Sequence, residues 1–190
     1  MLNIAIFGPP GAGKGTQSRL IIEKYNLAYI STGDLLRGEL AAGSELGKQV
    51  KAVMDAGNLV SDELIVKILE KKINSFENVN GILFDGFPRN LVQAYILTGL
   101  LTKLNTELSC MISLEVPEKE LMKRMLKRAE KEGRSDDNPD AIRNRFKQYH
   151  EKTQPVEMFY KEMGKCITVN GLGDIDEIYK RIINAIDQCL

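Results

Sequence analysis

The chain has no excess of either charge. Lys+Arg and Asp+Glu stand at 26 each, for a net charge of zero. That balance argues against broad binding to nucleic acid or to an anionic membrane surface, and neither is expected as a partner. Cysteine is scarce: Cys110, Cys166 and Cys189 are odd in number, far apart and without C-x-x-C spacing. A disulfide framework and a zinc site are both disfavoured, which leaves three reduced thiols. Histidine is nearly absent, and His150 reads as helix surface rather than as a catalyst. No apolar run is long enough to span a bilayer, and Met1-Leu2-Asn3 carries no basic stretch before the first strand. The expected location is the cytoplasm. There is no internal repeat and no low-complexity segment. With 43% hydrophobic residues over 190 positions, one domain with an ordinary core is expected.

The most informative segment is Gly8-Pro9-Pro10-Gly11-Ala12-Gly13-Lys14-Gly15-Thr16, directly after the apolar run 2–7. A strand, a glycine-rich loop and a helix in that order form a phosphate-binding loop. Glycines let backbone N–H groups turn around an anion, and the following helix aims its positive end at the same point. Lys14 adds a full charge for the β and γ phosphates. The generic motif places a hydroxyl next, but Gly15 stands there and the hydroxyl arrives at Thr16. A glycine-rich turn with an exposed lysine is the bland alternative, and both flanks speak against it.

Short β-branched runs alternate with helical patterns along the chain. Strands are predicted at 2–7, 28–31, 82–85, 109–116 and 166–170, and their near-continuous apolar character suits strands buried on both faces. Helices are predicted at 14–25, 34–42, 45–56, 62–75, 91–104, 118–131, 139–163 and 175–188. Ser61, Asn138-Pro139 and the Asp174/Glu177 pair supply start signals. The alternation predicts an α/β fold with a five-stranded parallel sheet and helices on both faces, its ligands at the carboxyl ends of the strands. Residues 31–60 and 127–138 interrupt the alternation and are candidates for moving parts.

Three further segments bear on what accepts the phosphoryl group. Ser31-Thr32-Gly33-Asp34-Leu35-Leu36-Arg37 opens a helix after the second strand, where Arg37 can fork onto a phosphate. Asp85-Gly86-Phe87-Pro88-Arg89 ends the third strand, and Asp85 is well placed to organise Mg²⁺ through water. Arg124, Arg128, Arg134, Arg143 and Arg145 form a basic series. Arg124 and Arg128 share a helix face. Arg143 and Arg145 lie about 200° apart and cannot share one target. Two or three of these arginines are expected to converge on phosphates, since Lys14 alone is too little charge for phosphoryl transfer.

With these segments in this order and spacing, the chain resembles the adenylate kinases, a family of nucleoside monophosphate kinases. The likeness runs from residue 2 to about 188 and is closest to the short-lid type, without the zinc site of longer lids. It implies a core of 1–30, 61–126 and 138–190, a helical AMP-binding insert at 31–60 and a lid at 127–137. It implies ATP at Gly11, Ala12, Gly13, Lys14, Gly15, Thr16, Arg128 and Gly173. AMP falls to Thr32, Arg37, Asn58, Leu59, Val60, Gly86, Phe87, Pro88, Arg89, Gln93, Arg134 and Arg145. Lys14, Arg89, Arg128, Arg134, Arg145, Asp136 and Asp137 become the catalytic set, with Mg²⁺ at Thr16 and, through water, Asp85. A cis peptide before Pro88 and a monomer also follow from the likeness.

Relatives acting on uridylate and cytidylate carry Ala where Thr32 stands and Asn where Gln93 stands. Both positions therefore favour AMP, while Asn90 is closer to the pyrimidine enzymes, which remain the alternative. The nucleophile would be a phosphate oxygen, largely dianionic at neutral pH, so no general base is required. A GTPase-like switch lacks its Asn-Lys-x-Asp segment here. A catalytically silent nucleotide binder is the other competing class.

Overall fold

The computed structural model describes residues 1–189, the side chain of Ser135 excepted. Strands β1 (Ile4–Phe7), β2 (Ala28–Ser31), β3 (Ile82–Asp85), β4 (Cys110–Glu115) and β5 (Cys166–Asn170) form one parallel sheet in the order β2-β3-β1-β4-β5. The predicted fold class holds. The order reverses at β1, which pairs with β3 on one side and β4 on the other. A crevice opens where successive crossovers leave in opposite directions, at the carboxyl end of β1.

Side-chain alternation along β1 divides the core. Ala5 and Phe7 join the apolar cluster with Ile30, Phe84, Leu97 and Tyr160, while Ile4 and Ile6 join Ile21, Leu83, Ile112, Ile182 and Ile186. The first cluster is covered by α2 (Thr32–Ala41), α3 (Glu45–Asp55), α4 (Asp62–Ile73), α5 (Leu91–Lys103) and α8 (Gln154–Glu162). The second is covered by α1 (Lys14–Tyr25), α6 (Glu118–Glu132), α7 (Pro139–Gln148) and α9 (Ile175–Asp187).

Helix starts follow local chemistry. Ser31 accepts from the Asp34 N–H, Asn90 from that of Gln93 and Asn138 from those of Asp140 and Ala141, and Asp174 with Glu177 completes a capping box. Ser61 departs from expectation: it precedes α4 but makes no side-chain cap. The predicted helix over 139–163 is also broken. A π turn, Tyr149–Thr153, separates α7 from α8, and the Gln154 N–H reaches back to the Tyr149 carbonyl. Pro155 is the cause, since it has no N–H to donate and its ring crowds the carbonyl four residues back. The Phe87–Pro88 peptide is cis, as the resemblance implied.

Between α6 and α7 lie Gly133, Arg134, a short 3₁₀ turn (Ser135–Asp137) and Asn138. This connection overhangs the strand ends together with the α2–α3 insertion. Its Ser135 side chain lies outside the described residues.

Candidate functional site

The loop after β1 is held by its surroundings rather than by side-chain caps. Gly13 precedes α1 in the left-handed region with no side-chain hydrogen bond, which leaves the first N–H groups of the helix for a ligand. Gly11 has φ +83, and a Cβ there would lie 2.9 Å from the Leu121 carbonyl of α6. No larger residue fits between loop and helix. The Lys14 ammonium folds back on the same loop and donates to the carbonyls of Gly8 and Pro9 at 2.8 and 3.0 Å. Burial pushes its pKa down to about 8; Asp85 opposes the shift, and Arg89, Arg145 and Arg128 add to it. Those three guanidinium groups therefore share a field with Lys14.

Asp85 ends β3 with its side chain buried, and its Oδ2 accepts from the Tyr29 hydroxyl at 3.0 Å. A Cβ on Gly15 would stand 3.7 Å from that same oxygen. The position where the generic loop carries its hydroxyl thus faces Asp85, while Thr16 lies one residue further round α1 and is exposed. Among the described residues no group of three or more His, Cys, Asp or Glu gathers to hold a metal. A single hard carboxylate beside a phosphate loop fits Mg²⁺ brought in with a nucleotide, since that ion keeps several waters and shares phosphate oxygens.

A cleft of about 1040 Å³, open to solvent, runs from this loop under the α2–α3 insertion. It gathers Lys14, Thr32, Arg37, Asn58, Leu59, Val60, Gly86, Phe87, Pro88, Arg89, Gln93, Asp136 and Arg145. Thr32 Oγ1 donates to the Gly86 carbonyl at 2.8 Å, and Arg89 Nε donates to the same oxygen at 2.8 Å. Burial holds the Arg89 guanidinium below its ordinary pKa, against the attraction of Asp85. Its backbone is pinned at both ends. Its N–H donates to Gln93 Oε1 at 2.7 Å, and its carbonyl accepts from Thr153 Oγ1 at 2.8 Å.

The acidic pair organises the arginines. Asp137, almost wholly buried, takes a two-pronged contact from Arg128 at 2.6 and 2.7 Å and a third from Arg145 at 2.8 Å. Asp136 accepts from Arg145 at 3.0 Å. Burial draws Arg145 down to about 10, against the pull of both carboxylates. Arg37 pairs with Asp34 at 2.5 Å and Arg134 with Glu132 at 2.7 Å, both partly exposed. Arg143 points away, exposed and paired with Asp140, as its helical phase predicts.

On the other side of the loop, Gly173 lies between β5 and α9, and Gln17 of α1 donates to the neighbouring Ile175 carbonyl at 3.0 Å. Arg124 has no assigned role in the sequence reading, yet it bridges the two segments. It donates to the Gly171 carbonyl at 3.2 Å, and its NH1 lies 3.9 Å from a Cβ placed on Gly13. Its i,i+4 relation to Arg128 was the available signal. Gln148 is a second omission. It lines the cleft with its buried Oε1 lacking a partner among the described residues, and nothing in its sequence neighbourhood marks it.

The sequence profile of the family described as adenylate kinase matches residues 6–165. The chain belongs to the adenylate kinase family. It is 47% identical over 185 residues to an adenylate kinase of Stenotrophomonas maltophilia, covering 97% of this chain and 99% of that one. It is 47% identical over 188 residues to one of Phocaeicola vulgatus, with 99% and 100% covered. An adenylate kinase of Bacteroides fragilis is 48% identical over 187 residues, with 98% and 99% covered. Relatives of the same length mean that the adenylate kinase resemblance extends through both overhanging segments and the β5–α9 loop. No helix among the described residues is long and apolar enough to cross a membrane.

Proposed function

We propose that the chain catalyses reversible, Mg²⁺-dependent phosphoryl transfer from ATP to AMP, giving two ADP, as a cytoplasmic monomer of the short-lid type. The observation that carries this reading is the sharing of one cleft by Lys14, Arg89 and Arg145, lined by the phosphate loop and by the partly apolar residues of the insertion. Two polyanions must be brought into contact for direct transfer, and this is where cations converge.

In this reading the backbone from Gly11 to Thr16 cradles the ATP phosphates, with Lys14 turning from its own loop carbonyls to the transferred group. Arg128 and Gly173 flank the ATP side. Thr32, Arg37, Asn58, Leu59, Val60, the segment 86–89 and Gln93 receive AMP. Arg134 and Arg145 span the two nucleotides. Asp136 and Asp137 hold Arg128 and Arg145 in place before substrate arrives, so little reorganisation is needed in the reaction. Asp85 and Thr16 would hold Mg²⁺ on the nucleotide, Asp85 through water. When bound, that ion supplies charge neutralisation between phosphates. Residues 31–60 and 127–137 act as insert and lid on a core of 1–30, 61–126 and 138–190, and their closure excludes water that would otherwise hydrolyse ATP.

The test is a coupled assay with ATP, Mg²⁺ and each of AMP, UMP and CMP. Stoichiometric ADP from AMP, with the pyrimidine monophosphates slower by a factor of about 100 or more, is expected. Faster turnover of UMP or CMP overturns the acceptor assignment, and no turnover with any of them overturns the reaction.

A further inference from the structure

Gln93 is buried in the cleft wall at 2% exposure, and both ends of its amide are engaged. Oε1 accepts the Arg89 N–H at 2.7 Å, and Nε2 donates to Asp62 Oδ1 at 2.7 Å. The two partners dictate which way the amide faces. A backbone N–H only donates, and an ionised carboxylate only accepts. Turned over, the amide would set donor against donor at Arg89 and acceptor against acceptor at Asp62. The same Asp62 oxygen also accepts from Asn90 Nδ2 at 2.9 Å, and Asn90 Oδ1 caps the Gln93 N–H at 2.8 Å. Asp62, at the start of α4, thus ties the amides of Asn90 and Gln93 into one network.

After these bonds, Gln93 keeps one acceptor lone pair and one N–H. A 6-aminopurine offers a donor at N6 and an acceptor at N1, while a 6-oxopurine offers an acceptor at O6 and a donor at N1. A free glutamine amide satisfies either base by turning over. A locked one satisfies only one of them and leaves the other with two mismatched, desolvated pairs. We infer that Asp62 is a specificity-determining residue that, by completing with the Arg89 N–H the lock on the Gln93 amide, makes the acceptor site reject 6-oxopurine monophosphates. The inference rests on the proposed placement of the AMP base at Gln93.

The experiment compares kcat/KM for AMP and for inosine monophosphate, which differs in O6 and N1–H alone, in the wild type, Asp62→Ala and Gln93→Ala. A ratio of two substrates on one preparation cancels any loss of folded fraction, so a merely structural role for Asp62 leaves it unmoved. Asp62→Ala is expected to lower the AMP-to-IMP ratio about tenfold or more, with KM for ATP unchanged. A ratio within about twofold of wild type, while Gln93→Ala abolishes the preference, overturns the part given to Asp62 and leaves base reading by a Gln93 oriented by the Arg89 N–H alone. An unchanged ratio in Gln93→Ala overturns the base placement itself and the lock with it. Should Asp62→Ala fail to fold, Asp62→Asn decides. Its amide offers a donor or an acceptor, so it is expected to lower the ratio by a smaller factor, and an unchanged ratio counts against the lock.

Discussion

The two halves of the cleft are built differently. On the phosphate-loop side, the groups free to meet a ligand are mostly backbone N–H groups beside left-handed glycines, and Lys14 is parked on its own loop carbonyls. On the insertion side, the groups are side chains already hydrogen-bonded to one another: Thr32 and Arg89 to Gly86, Gln93 to Arg89 and Asp62. Backbone recognises the charge and shape of phosphate, which any nucleoside triphosphate offers. Side chains with fixed donors and acceptors recognise a particular base. The difference predicts that damage to the first side lowers turnover for every acceptor, and damage to the second changes which acceptor is used.

The largest effect is expected where the halves meet. Replacing Lys14 with Met removes the one full charge of the phosphate loop, and kcat should fall by about a thousandfold for every acceptor. The buried ammonium is also costly to the empty protein, so the variant should melt no lower than wild type. Near-normal turnover would remove Lys14 from the reaction. Next comes the carboxylate that both arginines share. Asp137→Ala leaves Arg128 and Arg145 partly buried without their common partner, at a stability cost of about 3 kcal/mol and a loss of roughly a hundredfold in kcat/KM. A melting temperature and an activity both close to wild type would show that the pair is not what positions those arginines.

These sites differ in how plainly the sequence announces them. The phosphate loop is legible because its chemistry is local: nine consecutive residues carry the turn, the charge and the helix start. The central strands β1, β3 and β4 were legible for a related reason, since strands buried on both faces read as continuous apolar runs, whereas the edge strand β5 is largely half-buried or exposed. The insertion side is harder, because its pairings are long-range. Gln93 meets Asp62 across 31 positions, and Thr153 meets Arg89 across 64. No periodicity connects such residues; the resemblance named Gln93 but not the carboxylate that orients it. The break at Tyr149–Thr153 has its sign in Pro155, but the apolar pattern runs on through it and reads as one helix.

Acidity gives a finer test of the phosphate-loop side. With Lys14 drawn down to about 8 by burial, the empty enzyme loses that charge as pH rises through 8. The Kd for ATP should climb above that point by up to about tenfold per pH unit. A free-enzyme break near 8 that disappears in Lys14→Arg would assign it. The stability sign is opposite. Below pH 8 both folded and unfolded chains hold the proton, and the burial penalty is complete. Between about 8 and the ordinary value of 10.5 the unfolded chain binds more protons, so this group's contribution to stability rises with pH. A binding profile flat from pH 7 to 9 would mean that the ammonium keeps its proton despite burial.

The smallest effect concerns how the insertion side is held against the core. Asn144 of α7 donates to the Ala56 carbonyl at 2.7 Å and to Asn58 Oδ1 at 2.8 Å, at the turn that leaves α3. Gly57 between them has φ +72, and a Cβ there would come 2.5 Å from the Ala141 carbonyl. The backbone of the turn therefore lies directly on the helix that carries Arg145. Asn144→Ala removes two partly exposed hydrogen bonds worth about 1 kcal/mol together and leaves the packing in place. KM for AMP should rise by about threefold to fivefold, with KM for ATP and kcat unchanged. Gly57→Ala should exceed this, since it forces the turn off α7. Equal effects on both substrates would mean that the turn braces the whole molecule rather than the acceptor half alone.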